Sequence, residues 1–433
     1  MDRFSRNVTP RNVNVEIVTI GDELLLGFTI DTNAAHLARE LAAIGVAIVR
    51  RSTCGDGADD IAAAVRESLD RTGAVITTGG LGPTSDDLTK PSIAAIFGRA
   101  MRLDEAVLEN LKGRWKARGW PGDMPVANRQ QAMIPEGATV LANLHGSAPG
   151  IWLEDDAGRW VVMLPGVPRE MRGMCADVLL PRVRERLGVN TTVIASRTLR
   201  TTGVAESALP ELLGPLAGGF DGLSLAYLPG WGGVDLRLTC RGHMATEAAA
   251  KLDKGVAAMR ERLGATVYGE GNDDLAALVL QQLRDRRMTI AVAESCTGGM
   301  LGARLTAISG ASDVVLGGVI AYANEVKETH LGVRAATLAM YGAVSEETSR
   351  EMASGARSRF NADVAVAVTG IAGPDGGTPE KPVGTICIAV DVRGAVRSSR
   401  PTVVGDRDEI RRRSAQAALN LVRRVLVHPS ETT

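Results

Sequence analysis

Residues 74–89 read AVITTGGLGPTSDDLT, an apolar run that stops at two glycines and restarts after an acidic pair. A short β-rich run ending in Gly marks a strand entering a turn. The acidic pair suits the first turn of a helix beginning there. Outward from this stretch the same rhythm repeats. VEIVTI (15–20) is a predicted strand, LARELAAIG (37–45) a helix closing on Gly, and VAIVR (46–50) a strand. DDIAAAVRESL (59–69) is the next helix, and WVVMLPGVP (160–168) a buried strand ending in a Pro-Gly loop. Strands alternating with helices imply a largely parallel, doubly covered sheet over 14–170.

From 172 to 265 the pattern changes. TTVIASRTLR leads to a helix at 204–213, then LSLAYLP and VDLRLTC flank GWGG, and a helix spans 245–263. This reads as a small α+β module, closed by a linker, GEGNDD (269–274). From 275 the alternation resumes: helix 275–286, strand TIAVA, helix 297–308, strand VVLGGVIAY, helix 345–359, then strands DVAVAVTG and GTICIAV. A last strand near 396–404 and a helix at 407–427 complete it. VITTGGLGP and AVAVTGIAGPDGG end alike, but their flanks differ, so no internal repeat is assigned.

The chain has 433 residues, enough for about three domains at roughly 150 residues each. Hydrophobic residues make up 45% and charged ones 23%, ample for packed cores. A net charge of −1 gives no general electrostatic case for nucleic acid or an anionic membrane. Cys54, Cys175, Cys240, Cys296 and Cys387 are scattered and odd in number, which suits reduced thiols in a cytoplasmic protein. The first dozen residues lack the apolar core of a signal peptide and read as a loose tail. Apolar runs are broken well short of a membrane span.

Chemistry in the first region belongs to two loops. The glycines of TGGLGPTSDDLT let backbone N–H groups approach an anion at a helix N-terminus. Asp86 and Asp87 within it either bridge to that anion through a divalent cation or merely cap free N–H groups. IGDELLLGFTIDTN (20–33) sets Asp22, Glu23 and Asp31 at another strand's carboxyl end, where open α/β sheets bind ligands; a solvated acidic loop is the alternative.

In the last region AESCTGG (293–299) joins a strand to a helix, exposing Ser295 where helix N–H groups can steady an oxyanion. No GxSxG is present and only His330 lies nearby after it, so a His-based triad is weak. Lys327, in YANEVKETH, is a base if burial lowers its pKa from the usual ~10.4. Cys296 is the rival nucleophile; neighbours on a helix point about 100° apart, so only one of the two faces a pocket. IRRR (410–413) lies on a helix whose apolar face is Ile410, Ser414, Ala417, Leu421 and Val425, which leaves Arg411 to Arg413 mostly on solvated sides.

IGDELLLG, DTN, GGLGPTSDDLTK, NRQQAMIPEGATVLANLHGSAPG and LPGVPREM together resemble the N-terminal part of the CinA family, and AESCTGG, GGVIAYANEVK, GAVSEE, VTGIAGPDGGTPEKPVGT and GDRDEIRRR its PncC-type deamidase part. The likeness is nearly end to end. It implies a multi-domain α/β chain: a MoaB/MogA-like αβα sandwich (14–171), a KH-type α+β module (172–268) and a C-terminal αβα amidohydrolase domain (273–428). For the first domain it implies an ADP-ribose pyrophosphatase using a divalent cation (Mg, Mn or Co) on Asp86 and Asp87. Gly79, Gly80, Gly82, Thr84, Asp31 and Asn33 would hold the nucleotide. For the last it implies nicotinamide mononucleotide deamidation without a cofactor, with Ser295 as nucleophile, Lys327 as base and Tyr322 as assisting hydroxyl. Gly310, Thr369 and Arg407 would line the nucleotide site, Arg407 meeting the phosphate. The partners expected are small nucleotides and a second copy in a homodimer, with no nucleic acid and no membrane. The GxxG at Gly230 to Gly233 lies between strands without Lys or Arg, so the KH-type module reads as structural or dimerising. The rival readings are a competence- or damage-associated binding protein with relic pockets, and a pterin binder without hydrolysis.

Overall fold

The computed structural model describes residues 14–187 and 192–427, so the N-terminal tail read from sequence lies outside the described residues. Two compact units form, one running to Ala195 with Cys240–Ala250, the other comprising Ser196–Thr239 and the chain from Lys251.

In the first unit β1 (Asn14–Ile20), α1 (Asp22–Leu25), α2 (Thr32–Ala43), β2 (Ala47–Cys54), α3 (Ala58–Thr72), β3 (Ala74–Thr78) and α4 (Thr89–Ile96) come first. A small two-stranded sheet, β4 (Met101–Leu103) with β5 (Met133–Pro135), brackets α5 (Glu105–Ala117) and a 3₁₀ segment at Val126–Ala132. Next come β6 (Thr139–Leu141), β7 (Gly150–Glu154), β8 (Trp160–Leu164), α6 (Pro168–Met174) and α7 (Leu180–Leu187). The main sheet runs β2-β1-β3-β8-β7-β6, the first four strands parallel and the β8–β7 and β7–β6 pairings antiparallel. Side-chain alternation along each strand builds two cores. Val15, Ile17, Ile76 and Val162 face one layer, while Val18, Ile20, Val75 and Val161 face the other. Met171, Cys175, Leu179, Val183 and Leu187 pack into the first of these layers. The helical stretch after 168 therefore completes the N-terminal fold instead of starting the middle module, because its apolar face has this sheet to cover.

A four-stranded sheet, β10-β11-β9-β12, is made by β9 (Val193–Thr201), β10 (Ser224–Gly230), β11 (Gly233–His243) and β12 (Val267–Glu270), with the helices α8 (Leu209–Leu213) and α9 (Ala245–Leu263). GWGG forms the β10–β11 hairpin turn. In the second unit the Gly232 carbonyl accepts from Gln416 Nε2 (3.0 Å), and Trp231 lies under the Arg304 guanidinium at 5.0 Å. That seating supports the structural reading of the turn.

The rest of the second unit comprises α10 (Leu275–Asp285), β13 (Ile290–Glu294), α11 (Met300–Thr306), β14 (Val315–Ile320), α12 (Asn324–Leu331), α13 (Ala335–Tyr341), α14 (Glu346–Phe360), β15 (Val364–Gly370), β16 (Ile386–Val392), β17 (Ala395–Ser399) and α15 (Arg407–Val427). The sheet order is β14-β13-β15-β16-β17, with β14, β13 and β15 parallel. VAVAV in β15 decides the layering. Val364, Val366 and Val368 face the core under α10, α11 and α15, while Ala365 and Ala367 face α14. Small side chains on that face draw α14 close. Its Gly355 has an ideal Cβ position 1.8 Å from the Leu331 carbonyl oxygen of α12, so only hydrogen fits. Gly355→Ala should destabilise the C-terminal domain by about 1–3 kcal/mol or more through overpacking. Denaturant unfolding of the variant measures this; unchanged stability means the helices separate freely.

Sequence periodicity misses α12 and α13. ANEVKETHLG is short and mostly polar, with Lys327 and Leu331 alone buried, so it shows no apolar stripe. No helix among the described residues is long and apolar enough to cross a membrane.

Candidate functional site

Parallel strands carry their C-terminal loops to one edge of the sheet, and the second unit sets its chemistry there. Ser295 comes directly after β13, and its N–H donates to the Val368 carbonyl (2.9 Å), extending the β13–β15 pairing by one residue. Gly298 and Gly299 adopt positive φ (59° and 94°), which turns the chain into α11. Glu294, 1% exposed, fixes this turn: its carboxylate accepts from the N–H groups of Gly299 (3.1 Å), Leu301 (2.9 Å) and Gly302 (2.8 Å). The helix N–H groups expected to serve an oxyanion are thus taken by Glu294, a residue sequence reasoning passed over. A carboxylate shortly before a Gly-Gly helix start was the available signal.

Lys327 reaches the same place from α12. It is 1% exposed, and its Nζ stands 3.2 Å from Ser295 Oγ. The amine donates to the carbonyls of Ala321 (2.8 Å) and Tyr322 (3.2 Å). Burial holds its pKa below the ordinary lysine value. A neutral amine has two hydrogens and one lone pair. Two carbonyls and one hydroxyl match that count.

Cys296 is also buried, and burial pushes its thiol up to about 12. A thiol held protonated is a poor nucleophile. Tyr322 is 61% exposed; its carbonyl, not its hydroxyl, meets Lys327, and the hydroxyl accepts from Arg407 Nη2 (2.9 Å). Arg407 also donates to the Gly373 carbonyl (2.6 Å). Thr369, near the end of β15, is buried and donates its hydroxyl to the Ala343 carbonyl (2.7 Å). Arg411 departs from its expected solvated position by donating to the Thr297 carbonyl (2.9 Å), whereas Arg412 pairs with Asp408 at the surface. The N-terminal end of α15 thereby stitches the loops after β13, β14 and β15 together. Gly310 is not brought to this edge. It precedes β14, at the opposite end of the sheet, and its carbonyl accepts from Arg284 (2.9 Å), because α11 carries the chain back across the domain first.

In the first unit the loops after β1, β3 and β8 meet at the carboxyl edge. Asn33 is 8% exposed and donates to Thr78 Oγ1 (3.2 Å) and the Gly166 carbonyl (2.7 Å), while its Oδ1 has no partner among the described residues. Asp31 caps α2 through the Ala34 N–H (2.9 Å). Gly79 lies so close to β1 that a Cβ would stand 2.1 Å from the Ile20 carbonyl oxygen; one on Gly80 would meet Thr89 Oγ1 at the same distance. Asp87 folds back on its own loop, accepting from the N–H groups of Gly82 (2.7 Å) and Thr84 (2.8 Å) and from the Thr84 hydroxyl. Asp86 is exposed, and hydrogen bonds from Thr84 and its own N–H lower its pKa. Neither carboxylate caps α4, whose N-cap is Leu88. No group of three or more His, Cys, Asp or Glu poised for a metal occurs among the described residues. Two carboxylates, one already shared with its own loop, do not close a resident metal site. They fit the sparse protein ligation of a magnesium ion carried on substrate phosphates.

Comparison with known proteins assigns the chain piece by piece. Residues 16–185 match the family described as "Probable molybdopterin binding domain", 196–269 the damage-inducible protein CinA KH domain, and 272–426 the CinA C-terminal domain. A CinA-like protein of Gemmatimonas aurantiaca is 65% identical over 95% of this chain and 96% of its own. Another, from Salinibacter ruber, is 43% identical over 96% and 100%. Among solved structures, the competence/damage-inducible protein CihA of Agrobacterium tumefaciens is 41% identical, with a TM-score of 0.35 over 36% of this chain and 94% of its own.

Proposed function

The chain belongs to the CinA family, and from that premise we propose that its C-terminal domain is a Ser/Lys amidohydrolase that deamidates nicotinamide mononucleotide. One observation carries this reading: a buried lysine, its pKa lowered by burial, 3.2 Å from a serine hydroxyl on a strand-to-helix turn. With the amine neutral, the Ser295 O–H donates to the Nζ lone pair. Attack on the carboxamide carbon moves that proton to Nζ. Collapse of the tetrahedral adduct passes it to the departing ammonia and leaves an acyl-enzyme. Water, deprotonated by the same amine, then frees the acid and restores Ser295. Arg407 and the Tyr322 hydroxyl, joined to each other, would receive the nucleotide's phosphate at the rim. The first test is ammonia release from nicotinamide mononucleotide by the purified chain. Release should occur and be indifferent to a chelator; none would sink the reading.

For the N-terminal domain the reading is hydrolysis of the pyrophosphate of ADP-ribose or a related dinucleotide, with the phosphates over the loop 79–87 and a divalent cation entering on them. AMP and ribose 5-phosphate should appear from ADP-ribose and vanish with a chelator, since the cation must screen carboxylate from phosphate. Cleavage at full rate in a chelator would rule out the bridging cation. The molybdopterin likeness of 16–185 favours a second reading, pterin binding without hydrolysis. Absence of cleavage with the cation present selects it.

A further inference from the structure

A groove of about 430 Å³ in the first unit begins at Pro83, inside the loop 79–87, and is lined further along by Trp115, Arg118, Trp120, Asn128 and Gln131. We propose that this groove is the subsite for the heteroaromatic base of a nucleotide whose phosphate lies on that loop. This rests on the pyrophosphatase reading and names the part of the substrate it leaves open.

Three features point to a flat, hydrogen-bonding ring. Trp115 and Trp120 meet edge to face with centroids 4.4 Å apart, and the Arg118 guanidinium lies 5.1 Å over Trp120. Trp120 is nevertheless 46% exposed, so a large apolar plane stands in water where no core requires it. Indole and guanidinium planes are the surfaces on which bases stack. Next, Asn128 and Gln131 add carboxamides, whose paired donor and acceptor match a base edge. Gln131 is 3% exposed; its Nε2 reaches Ser147 Oγ only at 3.5 Å, and its Oε1 has no partner among the described residues. A buried carbonyl oxygen left open is costly, and a small shift would let it accept from an exocyclic amine. Finally, the groove and the loop are held in one piece. Lys90, 1% exposed in the first turn of α4, donates to the Gln130 carbonyl at 2.6 Å, tying the segment that carries Asn128 and Gln131 to the helix that the acidic loop enters. Arg114, which also lines the groove, is engaged with Asn110 and with the carbonyls of Asn143 and Gly146, so it forms a wall.

The experiment is calorimetric titration of the full chain with AMP and, separately, with ribose 5-phosphate, which keeps the phosphate and sugar but lacks the base. AMP should bind the wild type. Trp120→Ala and Gln131→Leu should each weaken AMP, by about 10-fold for the stacking change, with ribose 5-phosphate unchanged and Trp120→Phe restoring most of the loss. The proposal is overturned if AMP does not bind, if both variants bind AMP as the wild type does, or if AMP and ribose 5-phosphate weaken together. Hydrolysis separates the two ideas. AMP bound through Trp120 without ADP-ribose cleavage keeps the subsite and ends the pyrophosphatase reading; cleavage with AMP affinity insensitive to Trp120 does the reverse.

Discussion

Lys327→Arg should deamidate nicotinamide mononucleotide as poorly as Lys327→Ala, both falling on the order of 10²–10⁴-fold below the wild type. Arg keeps the charge and nearly the reach of Lys but does not lose its proton, so it offers Ser295 no lone pair. The wild-type rate should also depend on pH with a fixed sign. Only the neutral amine accepts the serine proton, so the rate rises as pH passes the folded-state pKa. Burial places that pKa below the ordinary value of about 10.4. Steady-state rates across pH for the wild type, with single-pH rates for the two variants, check both statements. Near-normal turnover by Lys327→Arg would make Lys327 a fixed positive charge and end the Ser/Lys mechanism.

Ser295→Ala should cost more, up to the order of 10⁶-fold, the scale on which an activated serine is missed. Cys296→Ala should keep most of the activity. Both residues lie at the same turn, but only the serine hydroxyl is hydrogen-bonded to the lysine, and the Cys296 thiol is held protonated, its pKa pushed up to about 12. Acyl-enzyme trapping in a quenched reaction should label the wild type and Cys296→Ala and leave Ser295→Ala unlabelled. The opposite pattern reassigns the nucleophile.

The N-terminal loop was legible in part. Glycines before an acidic pair read as an anion loop; the Cβ positions at Gly79 and Gly80 show that glycine is needed there for close packing on Ile20 and Thr89. That Asp87 would turn back onto Gly82 and Thr84 was not legible, since capping and metal binding draw on the same residue types. The base groove was invisible. Its lining comes from the loop 79–87, from α5 and the turn after it, and from the 3₁₀ segment at Val126–Ala132, which no periodic pattern announces.

By itself the sequence determined the layers of this protein. Alternation such as VAVAV assigns each strand two faces, the strand–helix rhythm makes the strands it joins parallel (β2, β1, β3 and β8 in one sheet, β14, β13 and β15 in another), and parallel strands send their loops to one edge. It also held the family likeness, carried by motifs along the whole chain. Tertiary structure alone decided which polar groups stand bare. Lys327 sits on a short polar helix that looks solvated, yet it is 1% exposed, and α14 lies so close to that helix that only the hydrogen of Gly355 fits against the Leu331 carbonyl. A lysine's proton affinity is set by the groups and solvent around the amine. Those groups come from segments far away along the chain, and a local pattern carries no information about them.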